Sequence, residues 1–240
     1  MSGKRVLCGV LAFLCVSGSS AGAEEVNRLG KTSRELVAFF APKPAATSWV
    51  GRYIGATLGW AFGSSTQHYN RAGDHGTATL EPDGPAAAVT LGQNWLVGDG
   101  LMLGVEGDLG LLNASQPATP VYDGHVWSSQ MGPVYATARG RAGYFVQDDT
   151  MLFLTGGLAI TSIDDTSIGN TEGETAIKRG LRAGLALGGG VEYQWDPQWT
   201  VRAEYMHMDF GTASGHSAND EAFSFEPTLG LWRIGASMKF

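Results

Sequence analysis

Tyr53-Ile54-Gly55-Ala56-Thr57-Leu58-Gly59-Trp60-Ala61-Phe62 carries an apolar side chain at every even position and a small or polar one at every odd position. A period of two sustained over ten residues describes a β-strand with one greasy face and one that is not. The same alternation returns at about 85–97, 101–112, 134–146, 151–160, 181–195, 199–210 and 227–240, giving eight candidate strands. Each is long enough for the 9 to 11 residues or so that a tilted strand needs to cross a bilayer.

The connections between these strands sort themselves by length. They run to about 21, 3, 21, 4, 20, 3 and 16 residues in order, long and short in strict alternation. A soluble meander has no reason to do this, whereas a membrane barrel has tight turns at its periplasmic rim and long loops at the other. The short ones, Gly98-Asp99-Gly100, Gln147-Asp148-Asp149-Thr150 and Asp196-Pro197-Gln198, are made of turn-forming residues. A helical reading of 181–195 is defeated by Gly188-Gly189-Gly190. Nothing after residue 23 approaches the 18 consecutive apolar residues of a spanning helix. The predicted fold is therefore all-β, an eight-stranded antiparallel transmembrane β-barrel over 49–240. A soluble lipocalin-like barrel is the competing fold, and it would turn the greasy face inward.

Ahead of the barrel, Lys4 and Arg5 precede an apolar run from Val6 to Val16 that ends near Ala21-Gly22-Ala23. That is the pattern of a secretory signal peptide over 1–23, too short to anchor in a bilayer as a helix. Both cysteines, Cys8 and Cys15, fall inside it, so the mature chain would hold no disulfide. Removing Lys4 and Arg5 takes the formal charge from −7 to −9, which argues against a nucleic-acid partner. Residues 24–48, with Ala41-Pro42-Lys43-Pro44-Ala45-Ala46 near their end, read as a periplasmic leader, with a short helix possible at Arg34 to Phe40.

The parity of the strands sorts their side chains between lipid and lumen. Ile54, Leu58, Val89, Leu91, Leu103, Val105, Leu152, Leu154, Leu185, Leu187, Val201, Ala203, Ile234 and Ala236 fall on the lipid face. Trp49, Tyr53, Trp60, Phe62, Trp95, Tyr144, Tyr193, Trp195, Trp199, Trp232 and Phe240 sit near strand ends and are expected to form the interfacial girdles. Charge is scarce, and most strand charge falls on the other face. Glu106, Asp108, Arg139, Arg141, Glu192, Arg202, Glu204 and Arg233 form a candidate lumen network, with Lys239 and Arg182 beyond it. Eight strands leave an interior that side chains just fill, so the expectation is a plugged lumen and not an open channel.

No G-x-S-x-G, H-E-x-x-H or Walker motif is present, so no catalytic residue, cofactor site or metal site is expected. His68, His75, His125 and His216 fall in the expected outer loops, where a metal or haem site competes with plain solvation; His207 lies near the outer end of its strand.

Several segments resemble the small porin-family barrels of Gram-negative bacteria called outer-membrane immunogenic proteins, related in architecture to the membrane domain of OmpA. They are Trp49-Val50-Gly51-Arg52-Tyr53-Ile54-Gly55, Leu103-Gly104-Val105-Glu106-Gly107-Asp108-Leu109, Arg139-Gly140-Arg141-Ala142-Gly143-Tyr144 and Thr155-Gly156-Gly157-Leu158-Ala159. The most specific is Gly188-Gly189-Gly190-Val191-Glu192-Tyr193, continued by Trp199, Glu204-Tyr205 and Asp209-Phe210-Gly211. The resemblance implies the outer membrane as location and outer-membrane lipid as surroundings. It also implies that Phe240, after Met238, Ala236 and Ile234, is the signal read by the barrel-assembly machinery, with periplasmic chaperones as further partners in biogenesis. A structural, loop-displaying surface protein with at most a narrow pore is the first functional expectation. A small-solute porin, or binding of haem or of a host or small-molecule ligand at the outer loops, are the alternatives.

Overall fold

A computed structural model describes residues 49–71, 74–97, 100–121, 125–168, 175–216 and 222–240. The expected signal peptide, leader and Arg34–Phe40 helix lie outside these residues, as do Gly98 and Asp99 of the first tight turn.

Among the described residues there are eleven strands, β1 (Gly51–Arg71), β2 (Asp74–Leu80), β3 (Asp83–Leu96), β4 (Leu101–Leu112), β5 (Ala114–Val121), β6 (His125–Gln147), β7 (Thr150–Ile168), β8 (Thr175–Gln194), β9 (Trp199–Asp209), β10 (Ala213–His216) and β11 (Ala222–Lys239). Eight of them, β1, β3, β4, β6, β7, β8, β9 and β11, pair antiparallel in chain order, and β11 pairs back onto β1 from Tyr53↔Lys239 to Asn70↔Ala222. The ring is closed. Following direct partners from Tyr53 through Gly92, Glu106, Arg139, Gly157, Ala186, Met208 and Leu229 returns to β1 at Gly63, ten residues along the same strand. At about 4.8 Å between strands and about 3.3 Å per residue, that stagger tilts the strands by about 40° and sets a backbone radius of about 8 Å.

The outward belt is apolar. Leu58, Leu154, Leu187 and Ile234 are each about two-thirds exposed, and the other expected lipid-face residues also point out of the ring. The tight turns form as their residues dictate. Asp148 and Asp149 link β6 to β7, and Asp196 Oδ1 accepts from the N–H groups of Gln198 (2.7 Å) and Trp199 (2.9 Å) to link β8 to β9.

Two expectations need correction. The segments read as long outer loops are largely strand: β2, β5 and β10, together with the outer ends of β1, β6, β7, β8 and β11, carry the ladder well past the belt. Beyond the bilayer the outward positions turn polar (Thr66, Gln130, Asp164), while inward positions there mix polar residues (Ser65, Ser129, Asp165) with apolar ones (Leu80, Trp127, Phe225). Hydropathy alternation therefore fades although the backbone pairing continues. A local break at the same level, where β4 gives way to β5 at Asn113 and the β6–β7 register shifts between Met131 and Tyr135, marks the start of this extension.

The second correction concerns Trp49 and Tyr53, expected in the girdle. Both are buried inside the ring, at 1% and 3% exposure. Tyr53 has the parity of Gly55 and Thr57, so its ring must point inward. It fits because its direct partner is Gly92, where a Cβ would stand 2.2 Å from the phenol ring. The other girdle residues face outward, with Tyr144 partly covered.

Replacing Leu187 by Arg at mid-belt should lower stability in lipid vesicles by about 2–4 kcal/mol. The same change at Gln130, outward but beyond the belt, should stay within about 0.5 kcal/mol. Denaturant unfolding of the two variants measures the contrast, and equal losses would mean that the belt is misplaced.

Candidate functional site in the barrel lumen

Inward side chains stack in layers along the axis. At the periplasmic end Trp49, Met102, Phe145, Met151 and Phe153 form an apolar floor, with Trp49 edge-on to Phe145 at 5.4 Å. The Trp49 indole N–H donates to the Asp148 carbonyl at 3.1 Å, which ties the start of β1 to a periplasmic turn.

Above the floor lie the eight candidate charges, each no more than 4% exposed. Four guanidinium groups, Arg139, Arg141, Arg202 and Arg233, meet four carboxylates, Glu106, Asp108, Glu192 and Glu204, so the cluster carries no net charge. Arg139 is the hub. It bonds Glu106, Asp108 at 2.8 Å and Glu204 at 2.5 Å, reaching from β6 both to β4 and across the lumen to β9. Arg233 spans the other way, to Asp108 (2.9 Å) and, through Nε and Nη2, to Glu204 (3.0 and 2.8 Å). Arg202 donates to Glu106 at 2.8 Å, and Arg141 donates to Glu192 at 2.5 Å while lying 4.6 Å from the Phe153 ring centroid.

Hydroxyls complete the cluster. Thr90 donates to Asp108 at 2.5 Å and accepts from Arg202 at 3.0 Å; Thr137 donates to Asp108 at 2.9 Å. Tyr53 donates to Glu106 at 2.8 Å and accepts from Arg141 at 3.2 Å. Charges taken out of water are tolerable only when most of their lone pairs and protons are met, and here Nε of Arg141 and Nε of Arg202 are the buried guanidinium donors left without a partner among the described residues. Arg182 and Lys239 are half-buried and make no ion pair among the described residues.

Over the charged layer sits a second apolar one, with Leu112, Tyr135, Met206, Met208, Leu229 and Leu231 all buried. Above that, Asp165 accepts from Ser129 (2.6 Å) and from Ser65 (3.1 Å), bridging from β7 to β6 and to β1. Sequence reasoning missed the apolar layers and Tyr53, although parity could have found them. Met206 and Met208 continue the inward register of Arg202 and Glu204, and Phe145 that of Arg139 and Arg141. Of the histidines whose side chains are described, His68 bonds Thr77 at 3.0 Å, His207 points outward from β9 and His216 is exposed. Among the described residues no cluster of His, Cys, Asp and Glu is set to hold a metal ion.

A self-closed antiparallel ring, greasy without and charge-neutral within, defines a transmembrane β-barrel of the kind found in bacterial outer membranes. The chain belongs to the outer membrane protein beta-barrel domain family, whose sequence profile matches residues 36–240. It is 27% identical over 207 residues to the 31 kDa outer-membrane immunogenic proteins of Brucella melitensis and of Brucella suis, covering 80% of this chain and 84% of each of theirs. Among solved structures it is similar to the outer membrane protein OprG of Pseudomonas aeruginosa, with a TM-score of 0.51 at 13% identity, covering 80% of this chain and 97% of that one. A weaker likeness, TM-score 0.41 at 11% identity over 79% of this chain and 99% of the other, is to the attachment invasion locus protein Ail of Yersinia pestis. The chain is thus an outer-membrane β-barrel surface protein.

Glu106→Gln would leave Arg139 and Arg202 short of a buried counter-charge, and stability should fall by about 3–5 kcal/mol. Asp164→Asn removes an exposed partner of Arg179 (2.7 Å apart, side chains 36% and 66% exposed) and should change stability by less than about 1 kcal/mol. Parallel unfolding curves distinguish the two, and a Glu106→Gln loss as small as that of Asp164→Asn would mean the lumen cluster is hydrated.

Proposed function

We propose that the barrel is a closed, non-enzymatic scaffold of the cell surface, which holds its extended outer strands and loops above the membrane and offers no continuous water path through its lumen. The observation that supports this most is the crossing of the lumen by Arg139 and Arg233, whose guanidinium groups join carboxylates on β4 and β9. With a backbone radius of only about 8 Å, side chains reaching inward from all eight strands meet at the axis. The apolar layers on either side of the charges add two further barriers, since a hydrated ion would have to shed water to pass them.

The same reading takes residues 1–23 as an export signal, 24–48 as a periplasmic leader and Phe240 as the residue offered to the assembly machinery, with periplasmic chaperones holding the unfolded chain beforehand. Phe240 is 72% exposed, and its N–H donates to the Arg52 carbonyl at 3.1 Å, at the seam where β11 closes on β1.

The test is single-channel recording in planar bilayers, using protein whose heat-dependent gel mobility shift certifies a folded barrel. Wild-type protein should give no steady unitary steps. Reproducible steps with a constant conductance would overturn the closed-lumen reading in favour of a small-solute porin.

A further inference from the structure

We infer that the lipid-facing wall formed by β1, β3 and β4 holds a bound phospholipid at its periplasmic end, with Arg52 and Gln93 on the head group and an acyl chain laid over Gly107. Arg52 and Gln93 are direct cross-strand partners, and both point out of the ring. Opposed side chains in a sheet stand about 5 Å apart at Cβ, so guanidinium and amide form one polar spot. Arg52 is exposed, and its side chain has neither an ion pair nor a hydrogen bond to a protein group among the described residues. A cation at the bilayer rim without a protein counter-charge is placed to meet a lipid phosphate, which a guanidinium grips with two parallel hydrogen bonds.

What lies above that spot is apolar and hollow. Gln93 is followed outward along β3 by Leu91, whose direct partner on β4 is Gly107, and Val105 stands opposite Gln93. Gly107 shares the outward parity of Val105 and Leu109 but has no side chain, and an added Cβ would meet only the Thr137 carbonyl within 4 Å, at 3.4 Å. The result is a recess of about 580 Å³ walled by Leu91, Val105 and Ala138, with Arg52 and Phe240 at its lower end. A recess in hydrocarbon does not stay empty, because its lining would lose dispersion contacts on one side. A flexible chain fills it better than a rigid protein surface would. The polar spot at one end and the greasy recess beyond it match a phospholipid end to end. Trp95, two residues from Gln93 toward the periplasm and 42% exposed, sets the level, since such rings settle among head groups.

The probe is phosphatidylglycerol, added to the folded protein in detergent, with bound lipid counted by native mass spectrometry. Arg52→Ala should weaken the one-lipid adduct about fivefold, the effect expected of a basic residue at an anionic interface. Gly107→Leu fills the recess without touching charge and should weaken it comparably. Arg179→Ala, which removes an exposed arginine from the outer part of β8, should leave it unchanged. Every variant must keep its heat-dependent mobility shift. The proposal is overturned if Arg52→Ala and Gly107→Leu bind as wild type does, or if Arg179→Ala loses as much as Arg52→Ala. It is equally overturned if glycerol phosphate alone displaces the lipid as well as the intact lipid does, since the recess would then contribute nothing.

Discussion

A peptide N–H or C=O left unpaired in hydrocarbon costs several kcal/mol, and a strand has no way to satisfy its own. Everything else about this protein follows from how that constraint is met. β1 is paired with β11 over 18 successive registers, so no edge faces lipid. Closure with a ten-residue stagger sets the bore, and a bore this narrow forces inward side chains from opposite walls into contact. The lumen has to be designed as a core.

That core is unusual in being charged at its middle. An apolar filling would have been cheaper in desolvation, and buried ion pairs are weak contributors to net stability. What the arrangement supplies is definition: Arg139 and Arg233 each accept only one set of neighbours, and those neighbours sit on strands far apart in sequence. A strand slipped by one residue would turn its lumen charges into lipid. The network therefore penalises wrong registers far more than it rewards the right one. The apolar floor and the methionine-rich layer flank the charges on both sides.

The outer part obeys a different economy. Beyond the belt the outer face meets water, so nothing demands an apolar exterior, yet the ladder continues because paired backbone remains better than unpaired backbone once the two strands of a hairpin are already side by side. The display surface is thereby carried on stiff strands and not on slack loops, and Asp165, bonded to serines of two other strands, draws the interior of that extension together.

Much of this was legible in the residues alone. The alternation in 53–62, its seven recurrences and the long-short rhythm of the connections determined a membrane barrel, and parity assigned Glu106, Arg139, Glu204 and their neighbours to one face, because a strand's two-residue repeat is a local property of the chain. Tyr53 and Trp49 were misplaced because aromatic character near a strand end was weighed above parity, and the strand extensions were missed because alternation fades where the outer face is polar and the inner face mixes polar with apolar residues. The partners of each charge were beyond any local reading. That Arg139 joins β4 to β9, that Arg202 reaches Glu106 and that Tyr53 rests on Gly92 depend on the stagger of the closed ring and on which strands face each other across it. Distances across a barrel are set by closure, and closure is a property of all eight strands together.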